Sequence, residues 1–422
     1  MAAGLRLIGW WRLAALLALT SGCTMVSPDK RSAYQYDHPL AVSDRAFLRS
    51  LDAFGNAMVG GNRAEILNNG DEIVPAMVAA IREAKLSVDL EAYVFKNDRA
   101  GAMIAEPLMD AARRGVEVRV LVDGTGSGRS GPLLDRMRKA GVKAYVYHPI
   151  RLWSLYKIAR RTHRNILVVD GAVNFTGGFR IADRWLGNAR NPKEWRDIMV
   201  RTTGPVTAQM QAIFSEDWTY TTGEILAGER FYPPIAPAGG ALAQAVKMTR
   251  GDPSSLAKML YFVAIKSARK SIFIQNAYFV PDGQIRQALS QAAQRGVDVR
   301  IMVPGRSIDV PVVRMASRRH YGELLQAGVR IFEYDRSMMH TKEVVVDGIF
   351  TTIGTINFDA RSLRENAEES VAFYDRDIAA RMEANFAADE RICHEVTYES
   401  WKRRGIEMRL AELASAVFQP IY

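Results

Sequence analysis

The chain lacks the residue patterns on which disulfide, metal and nucleotide sites usually depend. It has only two cysteines in 422 residues, Cys23 and Cys393, so no disulfide framework is available if Cys23 is modified. No histidine and cysteine cluster has the spacing of a zinc site, and no glycine-rich loop matches the phosphate-binding or dinucleotide-binding patterns. We therefore predict chemistry carried by side chains alone, with no metal and no cofactor.

The apolar run near the start of the chain is too short for a membrane span. Arg6 and Arg12 precede the apolar stretch 13–19, which is followed by small residues and Cys23. A membrane-spanning helix needs about 20 apolar residues. The pattern therefore predicts an export signal over residues 1–23.

The end of this signal resembles a lipoprotein cleavage site, in which Cys23 becomes acylated. Leu19 stands four residues before the cysteine, whereas three is usual, so ordinary cleavage and an uncleaved anchor are the alternatives. Residues 24–43 are then predicted to be a tether. Together these features predict a protein of the bacterial cell envelope, lipid-anchored and facing the periplasm or the exterior.

The composition suits a large globular protein with an excess of positive charge. Apolar side chains make up 48% of the chain, which is enough for two sizeable cores. Lysine and arginine number 56 and aspartate and glutamate 46, which gives a net charge of +10. Such a charge favours polyanionic partners, either anionic lipid headgroups or nucleic acid.

Two short segments share one pattern in the same frame. In each, a histidine opens an apolar, β-branched run that ends in an aspartate, and a glycine turn follows at the same distance. The residues are His163, Asp170 and Gly177 in the first copy and His340, Asp347 and Gly354 in the second. Each run predicts a buried strand entered by the histidine. Because the pattern is duplicated in frame, we interpret the two histidines as halves of one active centre.

The repeat extends beyond these motifs. Residues 84–90 match 268–274, residues 114–120 match 295–301, and residues 140–143 match 327–330. In each half, a helix with apolar periodicity ends near Arg-Gly and leads into an alternating, β-branched strand. This order predicts an α/β fold of two duplicated lobes. Each lobe is expected to have a mixed or parallel sheet covered by helices, with the active site between the lobes at a pseudo-twofold axis.

A segment rich in proline and glycine, residues 231–240, marks the boundary between the lobes. We predict a first lobe over residues 44–228, a linker over 229–250 and a second lobe over 251–422. Two independent domains on a flexible linker are the alternative, since a linker alone does not specify docking.

The second motif resembles the HxKxxxxD signature of the phospholipase D superfamily, with His340, Lys342 and Asp347 in the matching positions. The surrounding segments 278–282, 303–305 and 357–364 are similar to bacterial cardiolipin synthases. The similarity covers nearly all of the chain after about residue 62. It implies a phospholipase D-like fold in which both lobes contribute to one site.

The resemblance implies a phosphodiester exchange without metal. One histidine attacks phosphorus and forms a phosphohistidine, while the other protonates the leaving alcohol and later activates the acceptor. Family practice more often assigns the attack to His163, and the residues themselves leave that choice open. Asp170 and Asp347 are expected to hold one imidazole nitrogen each. Lys342 and Asn357 are expected to donate to the nonbridging oxygens of the phosphate.

The first motif departs from the signature at two positions. Asn165 stands where lysine is expected, and Arg180 stands where asparagine usually follows the glycines. We hypothesise that the changes compensate, so that Arg180 reaches the phosphate from the turn while Asn165 keeps its amide donors. The alternative is a first half that has lost catalytic power, which would leave a weak hydrolase or a lipid-binding pseudoenzyme.

The resemblance implies an enzyme that moves a phosphatidyl group between phospholipids. Phosphatidylglycerol is the expected substrate and a membrane surface the expected partner, with no nucleic acid. A phospholipase D that delivers the same intermediate to water is the nearest alternative, because water exclusion depends on pocket shape. A secreted nuclease is a further option, against which the acylation signal argues.

Two other stretches bear on the surface of the protein. Basic and aromatic residues interleave over 151–161, which suits either contact with lipid headgroups at the mouth of the site or an ordinary solvated loop. The run 401–416 predicts an amphipathic closing helix, and we expect it to pack on the core.

Overall fold

The computed structural model describes residues 34–52, 56–128, 130–149, 161–249 and 256–416. The predicted export signal with Cys23, residues 24–33 of the predicted tether and residues 151–160 of the basic and aromatic stretch lie outside the described residues. Residues from Tyr36 onward form a single unit by their contacts.

Each half of the chain folds into the same series of strands, because its apolar, β-branched runs alternate with helices. The first half forms β1 (Val59–Asn68), β2 (Ser87–Ala92), β3 (Glu117–Asp123), β4 (Lys143–Tyr147), β5 (Asn165–Val169), β6 (Val173–Gly177) and β7 (Ile198–Thr203). The second half forms β8 (Ala241–Met248), β9 (Ser271–Asn276), β10 (Asp298–Pro304), β11 (Arg330–Tyr334), β12 (Lys342–Val346), β13 (Phe350–Gly354), β14 (Glu368–Tyr374) and the edge strand β15 (His394–Val396).

Helices connect these strands and cover the sheet. The first half has α1 (Arg45–Leu51), α2 (Asn69–Glu83), α3 (Arg99–Arg113), α4 (Gly131–Lys139) and α5 (Val206–Thr222), with a 3₁₀ turn at Asp183–Trp185. The second half has α6 (Leu256–Ser267), α7 (Gly283–Gln294), α8 (Pro311–Arg319), α9 (Tyr321–Gln326), α10 (Arg376–Glu390), α11 (Tyr398–Lys402) and α12 (Ile406–Ser415). Asp98, Asp282 and Asp375 accept backbone N–H groups in the first turns of α3, α7 and α10, which explains where these helices begin.

The strands of the described ranges form one continuous sheet. Its 15 strands have the order β15-β11-β10-β9-β12-β13-β14-β8-β1-β7-β6-β5-β2-β3-β4. Outward from the central antiparallel pair of β1 and β8, the two halves have the same strand order. Strands β2, β3 and β4 are parallel, as are β9, β10 and β11, and the other pairings are antiparallel. The predicted duplicated α/β fold with mixed sheets is confirmed, and the two halves share one sheet.

The residues at the boundary belong to the folded halves and not to a flexible linker. Strand β8, which pairs with β1 and β14, lies inside the predicted linker 229–250. One apolar core also spans both halves, with Val200 and Phe214 from the first and Val371 and Phe373 from the second. The predicted linker is too long, because residues 241–248 form a strand directly after the proline and glycine. The two halves are therefore not independent domains.

Helix α1 and the residues before it pack on the second half, although the sequence analysis assigns them to the first lobe and the tether. Phe47 of α1 meets Phe350 of β13 edge to face, with ring centroids 6.3 Å apart. The Tyr374 hydroxyl donates to the carbonyl of Val42 at 2.9 Å, and the Val42 side chain is buried. The part of the predicted tether nearest α1 is therefore folded, because its apolar side chains cover the second half.

Asp170 and Asp347 build hairpin turns and do not hold the imidazoles. Each opens an Asp-Gly turn with positive φ, 52° and 54° respectively, the turn chemistry typical of β-hairpins. The Asp347 carboxylate accepts backbone N–H groups of residues 269–271 at 2.7–3.1 Å, and Asp170 bonds residues 85–87 in the same way. The expectation for these aspartates is wrong, because a strand of about 20 Å separates each one from its histidine.

We predict that Asp347→Ala lowers the free energy of unfolding by about 1–3 kcal/mol, because N–H groups lose their acceptor and alanine must adopt positive φ. Asp347→Asn is the matched control and should lose less, since asparagine tolerates this conformation and keeps an acceptor oxygen. Urea and thermal denaturation of the three proteins measure the effect. Equal stability of Asp347→Ala and the parent protein contradicts the turn role.

Candidate active site

Each histidine is tied to the other half of the molecule by its own backbone. The His163 N–H donates to the carbonyl of Ala367 at 2.8 Å, and the His340 N–H donates to the carbonyl of Arg196 at 2.7 Å. Ala367 directly precedes Glu368, the first residue of β14, and Arg196 directly precedes Asp197, which stands just before β7. These bridges therefore place the histidine of one half beside the acid of the other.

Buried carboxylates from opposite halves hold the two imidazoles. Nδ1 of His163 lies 2.9 and 3.0 Å from the Glu368 carboxylate oxygens, and Nδ1 of His340 lies 2.9 Å from Asp197. The Trp185 indole N–H also donates to Asp197 at 2.8 Å. Glu368 and Asp197 thus have the role that the sequence analysis assigned to Asp170 and Asp347. A carboxylate on Nδ1 fixes the tautomer and orientation of a ring.

The strand pairings of the duplicated sheet identify these two acids as equivalent residues. Gly177 pairs with Met199 across β6 and β7, and Gly354 pairs with Ser370 across β13 and β14. Two residues before each partner stand Asp197 and Glu368, so the acids are equivalent in the repeat. Asp197 follows Gly177 by 20 residues and Glu368 follows Gly354 by 14, so the repeat is out of frame beyond the glycines.

The glycine turn of the first motif allows the two halves to come close. Nδ1 of His340 lies 3.1 Å from the Gly178 carbonyl. A Cβ atom added to Gly178 would lie 2.6 Å from the His340 carbonyl oxygen, closer than atoms can pack. The same Cβ atom would lie closer still to the Asp197 carboxylate of the first half, so both contacts require glycine at this position.

Burial and neighbouring charges make the two imidazoles electrostatically different. Burial lowers the pKa of His163, although Glu368 opposes the shift. Burial, Lys342 and Arg180 hold the pKa of His340 well below its ordinary value. Burial alone would raise the pKa of Glu368, but the charge of His163 and its hydrogen bond keep that pKa below the usual range. Burial raises the pKa of Asp197 to about 6.

Lys342 and Asn357 lie near His340 in the second half. The Lys342 ammonium is 2.9 Å from Nδ1 of His340 and also contacts its carbonyl, and burial lowers the Lys342 pKa to about 7. These contacts direct the Lys342 side chain to the ring and backbone of His340, and Lys342 does not line the cavity. Asn357 lines the cavity beside His340, and its Oδ1 has no hydrogen-bond partner among the described residues.

Arg180 and Asn165, the two departures of the first motif, have different surroundings. Arg180 lines the cavity and donates from Nη2 to the His163 carbonyl at 3.0 Å. Its Nε and Nη1 are buried without a hydrogen-bond partner in the described part of the chain. The Asn165 amide donates to the carbonyls of Gly177 and Phe179 and does not line the cavity. The hypothesis that Asn165 binds phosphate is wrong, because its short side chain ends at the glycine turn and its donors are used there.

Both histidines line one cavity with a volume of about 960 Å³. The charge of His163 contributes to the lowered pKa of His340, as expected for two rings that lie near each other. The Tyr93 ring centroid is 4.7 Å from the ring of His163, and those of Trp185 and Trp195 are 5.3 and 5.6 Å from the ring of His340. The two histidine motifs do not include these rings. All three rings line the cavity beside the imidazoles.

Further cations line the same cavity. They are Lys96, Arg161, Arg184, Lys193 and Arg361. Asp98, Asp183, Asp309 and Asp359 are interspersed among them. A cavity of this size with convergent cations and two imidazoles suits an anionic ligand whose reacting atom sits between the rings.

A duplicated α/β fold that places one histidine from each half in a shared cavity defines the phospholipase D class of enzymes. A family model described as "Cardiolipin synthase, PLD-like domain" matches residues 77–218 and 261–390, one match in each half. The chain belongs to this family. It is an enzyme of the phosphatidyltransferase and phospholipase D type, as the resemblance of its motifs predicted.

Relatives match over most of their length. The cardiolipin synthase of Geobacillus kaustophilus (strain HTA426) is 36% identical over 390 residues, which cover 91% of this chain and 77% of the relative. The probable cardiolipin synthase YwiE of Bacillus subtilis (strain 168) is 33% identical over 381 residues, 90% of this chain and 76% of the relative. The crystal structure of phosphatidylserine synthase from Haemophilus influenzae Rd KW20 superposes with a TM-score of 0.64 at 15% identity. That match covers 89% of this chain and 97% of the other and shows a shared fold.

No helix of the described ranges is both long enough and apolar enough to cross a bilayer.

Proposed function

We propose that the protein is a phosphatidyltransferase that uses phosphatidylglycerol as donor and acceptor and forms cardiolipin. The observation that carries this proposal is the crossed pair of imidazoles in one cation-lined cavity, each with Nδ1 on a buried carboxylate of the opposite half. Relatives named cardiolipin synthases, aligned over about 90% of the chain, support the same substrate class.

The geometry suits a reaction in two displacements. Because Nδ1 of each ring is held by a carboxylate, Nε2 is the nitrogen left for the substrate. In the first step, one Nε2 forms a bond to phosphorus and the bond to the leaving glycerol breaks as the second imidazolium donates a proton to that oxygen. In the second step, the acceptor hydroxyl gives its proton to the second imidazole. The oxygen of the acceptor then bonds to phosphorus, and the bond between phosphorus and the first imidazole breaks.

The charges around the rings favour His340 as the nucleophile and His163 as the acid. A nucleophilic imidazole must be neutral, and burial together with the cations Lys342 and Arg180 lowers the pKa of His340 further than that of His163. Glu368 stays ionised beside His163 and stabilises its protonated form. The family resemblance more often gives the attack to the first histidine, so the electrostatics of this chain support the opposite assignment.

A substrate with an activated leaving group tests this assignment. Phosphatidyl-4-nitrophenol releases an anion that needs no general acid, so His163→Ala should still release one equivalent of nitrophenol while His340→Ala releases none. Rapid mixing with absorbance detection measures the burst, and circular dichroism controls for folding. A burst in His340→Ala and none in His163→Ala reverses the two roles.

Arg180 supplies the cation that the first motif lacks. Its Nε and Nη1 N–H groups are buried beside His163 without a partner among the described residues, which is costly unless a ligand accepts them. A nonbridging phosphate oxygen is an acceptor of the right charge. Asn357, a residue of the second half, also lines the cavity. The two halves therefore offer different donors to one phosphate.

We predict that Arg180→Ala lowers the turnover of phosphatidylglycerol by about 10²- to 10³-fold, which is the typical cost of one transition-state donor. Arg381→Ala, which removes an exposed arginine of α10, is the control and should keep full turnover. Product formation by mass spectrometry and melting temperatures of both variants separate catalysis from folding. Unchanged turnover in Arg180→Ala ends the compensation hypothesis.

Transfer and hydrolysis by the same intermediate are separated by their products. Purified protein in vesicles of phosphatidylglycerol should form cardiolipin and glycerol in equal amounts, with little phosphatidic acid. His340→Ala should form neither. Phosphatidic acid as the main product would make the enzyme a phospholipase D, and cleavage of DNA without any lipid product would make it a nuclease.

A further inference from the structure

The last described helix, α12, presents an apolar face to the outside of the protein. Ile406, Leu410 and Leu413 are 66%, 58% and 61% exposed. Their spacing of four and three residues places them in one stripe on a helix. We expected this run to pack its apolar face on the core, and that expectation is wrong for these three side chains.

The inner face of α12 is polar, which is the reverse of an ordinary surface helix. Glu412 is only 2% exposed and accepts hydrogen bonds from Nε of Arg404 at 2.9 Å. It also lies 3.8 Å from Nε of Arg318 in α8. The indole N–H of Trp401 donates to the Arg318 carbonyl at 2.8 Å, which anchors the segment before α12. This buried ion pair holds α12 with its apolar stripe facing outward.

Helix α12 packs directly against α8, and α8 begins at the cavity. Val312 and Val313 in its first turn line the cavity, as does Val310 just before it, which is 37% exposed. The outward stripe therefore lies on a helix that packs against α8, and α8 itself lines part of the cavity.

Exposed cations accompany the apolar stripe. Lys402, Arg403 and Arg409 are exposed, and none has an ion-pair partner among the described residues. Glu399 and Glu407 are the exposed acids of α11 and α12, so the exposed cations outnumber the exposed acids by one. Long basic side chains beside an apolar helix face are typical of helices that lie in the interface of a membrane with anionic headgroups.

We propose that the outward face of α12 docks on an anionic phospholipid surface and holds the cavity mouth against it. The stripe enters the acyl boundary while Lys402, Arg403 and Arg409 meet lipid phosphates. The link from docking to catalysis rests on the proposed function, because only a lipid substrate has to leave a bilayer to reach the two histidines. Docking itself does not depend on the reaction.

The size of the face favours a membrane over a second copy of the chain. A helix of ten residues is about 15 Å long, and three large side chains cover far less than the roughly 800 Å² per partner of a stable protein interface. A lipid interface needs no shape-matched surface and gains from each apolar side chain that leaves water.

A fluorescent probe on the stripe tests docking without reference to activity. In the full chain with Cys23→Ser and Cys393→Ser, a nitrobenzoxadiazole label on Leu410→Cys should shift its emission to shorter wavelength when phosphatidylglycerol vesicles are added. The same label on Ile225→Cys is the matched control, since Ile225 is 78% exposed and does not line the cavity. That control should show no shift, and phosphatidylcholine vesicles should give a smaller shift at position 410.

Every other outcome overturns the proposal. No shift at position 410 means that the face stays in water, and an equal shift at position 225 means general adsorption. A blue-shifted probe without vesicles means that the stripe is already covered. Dependence on protein concentration then identifies a second copy as the cover, and independence identifies a segment of the same chain, such as residues 417–422.

Kinetics separate the failure of docking from the failure of the proposed function. On phosphatidylglycerol vesicles, the turnover of the double variant Leu410→Ser with Leu413→Ser should be at least about tenfold lower than that of the parent protein. It should keep full turnover on dihexanoyl-phosphatidylglycerol below its micelle concentration. Equal losses on both substrates contradict a docking role. A parent protein inactive on both substrates rejects the proposed function and leaves the probe result standing.

Discussion

The site depends on carboxylates that each hold an imidazole of the opposite half. Glu368 holds His163 and Asp197 holds His340, and a backbone bridge beside each acid fixes the distance. All four side chains are buried, so neither acid nor histidine could be left unpaired without a large cost in free energy. The same contacts that complete the site therefore join the halves, and neither half can form the site alone.

The continuous sheet positions the two histidines relative to the acids of the opposite halves. Strands β5 and β12 enter the sheet at equivalent positions on either side of the β1 and β8 pair, so duplicated residues converge on one cavity. The donors around the cavity are not duplicated. Arg180 follows the glycines in the first half and Asn357 in the second, and Lys342 has Asn165 as its counterpart. This asymmetry makes one imidazole a better base than the other, which a reaction with two distinct roles requires.

Buried polar contacts also hold α12 in place. A buried glutamate with two arginines holds the helix, and the apolar side chains that usually provide such packing are outside. An ion pair in the interior contributes little net stability compared with apolar packing. The buried ion pair holds α12 without using its apolar face. That face is then free to contact the lipid layer in which the substrate lies.

The sequence by itself determined the duplication, the order of strands and helices, the two histidines and the glycine turns. These follow from local patterns, because a buried strand and a tight turn each impose their residue types over a few neighbouring positions. Only the tertiary structure decided which acids hold His163 and His340, what Asn165 and Asp347 do, and which face of α12 points outward. Those choices depend on contacts between segments far apart in the chain. The near aspartates satisfied the family pattern, but a strand in extended conformation carries them away from the rings.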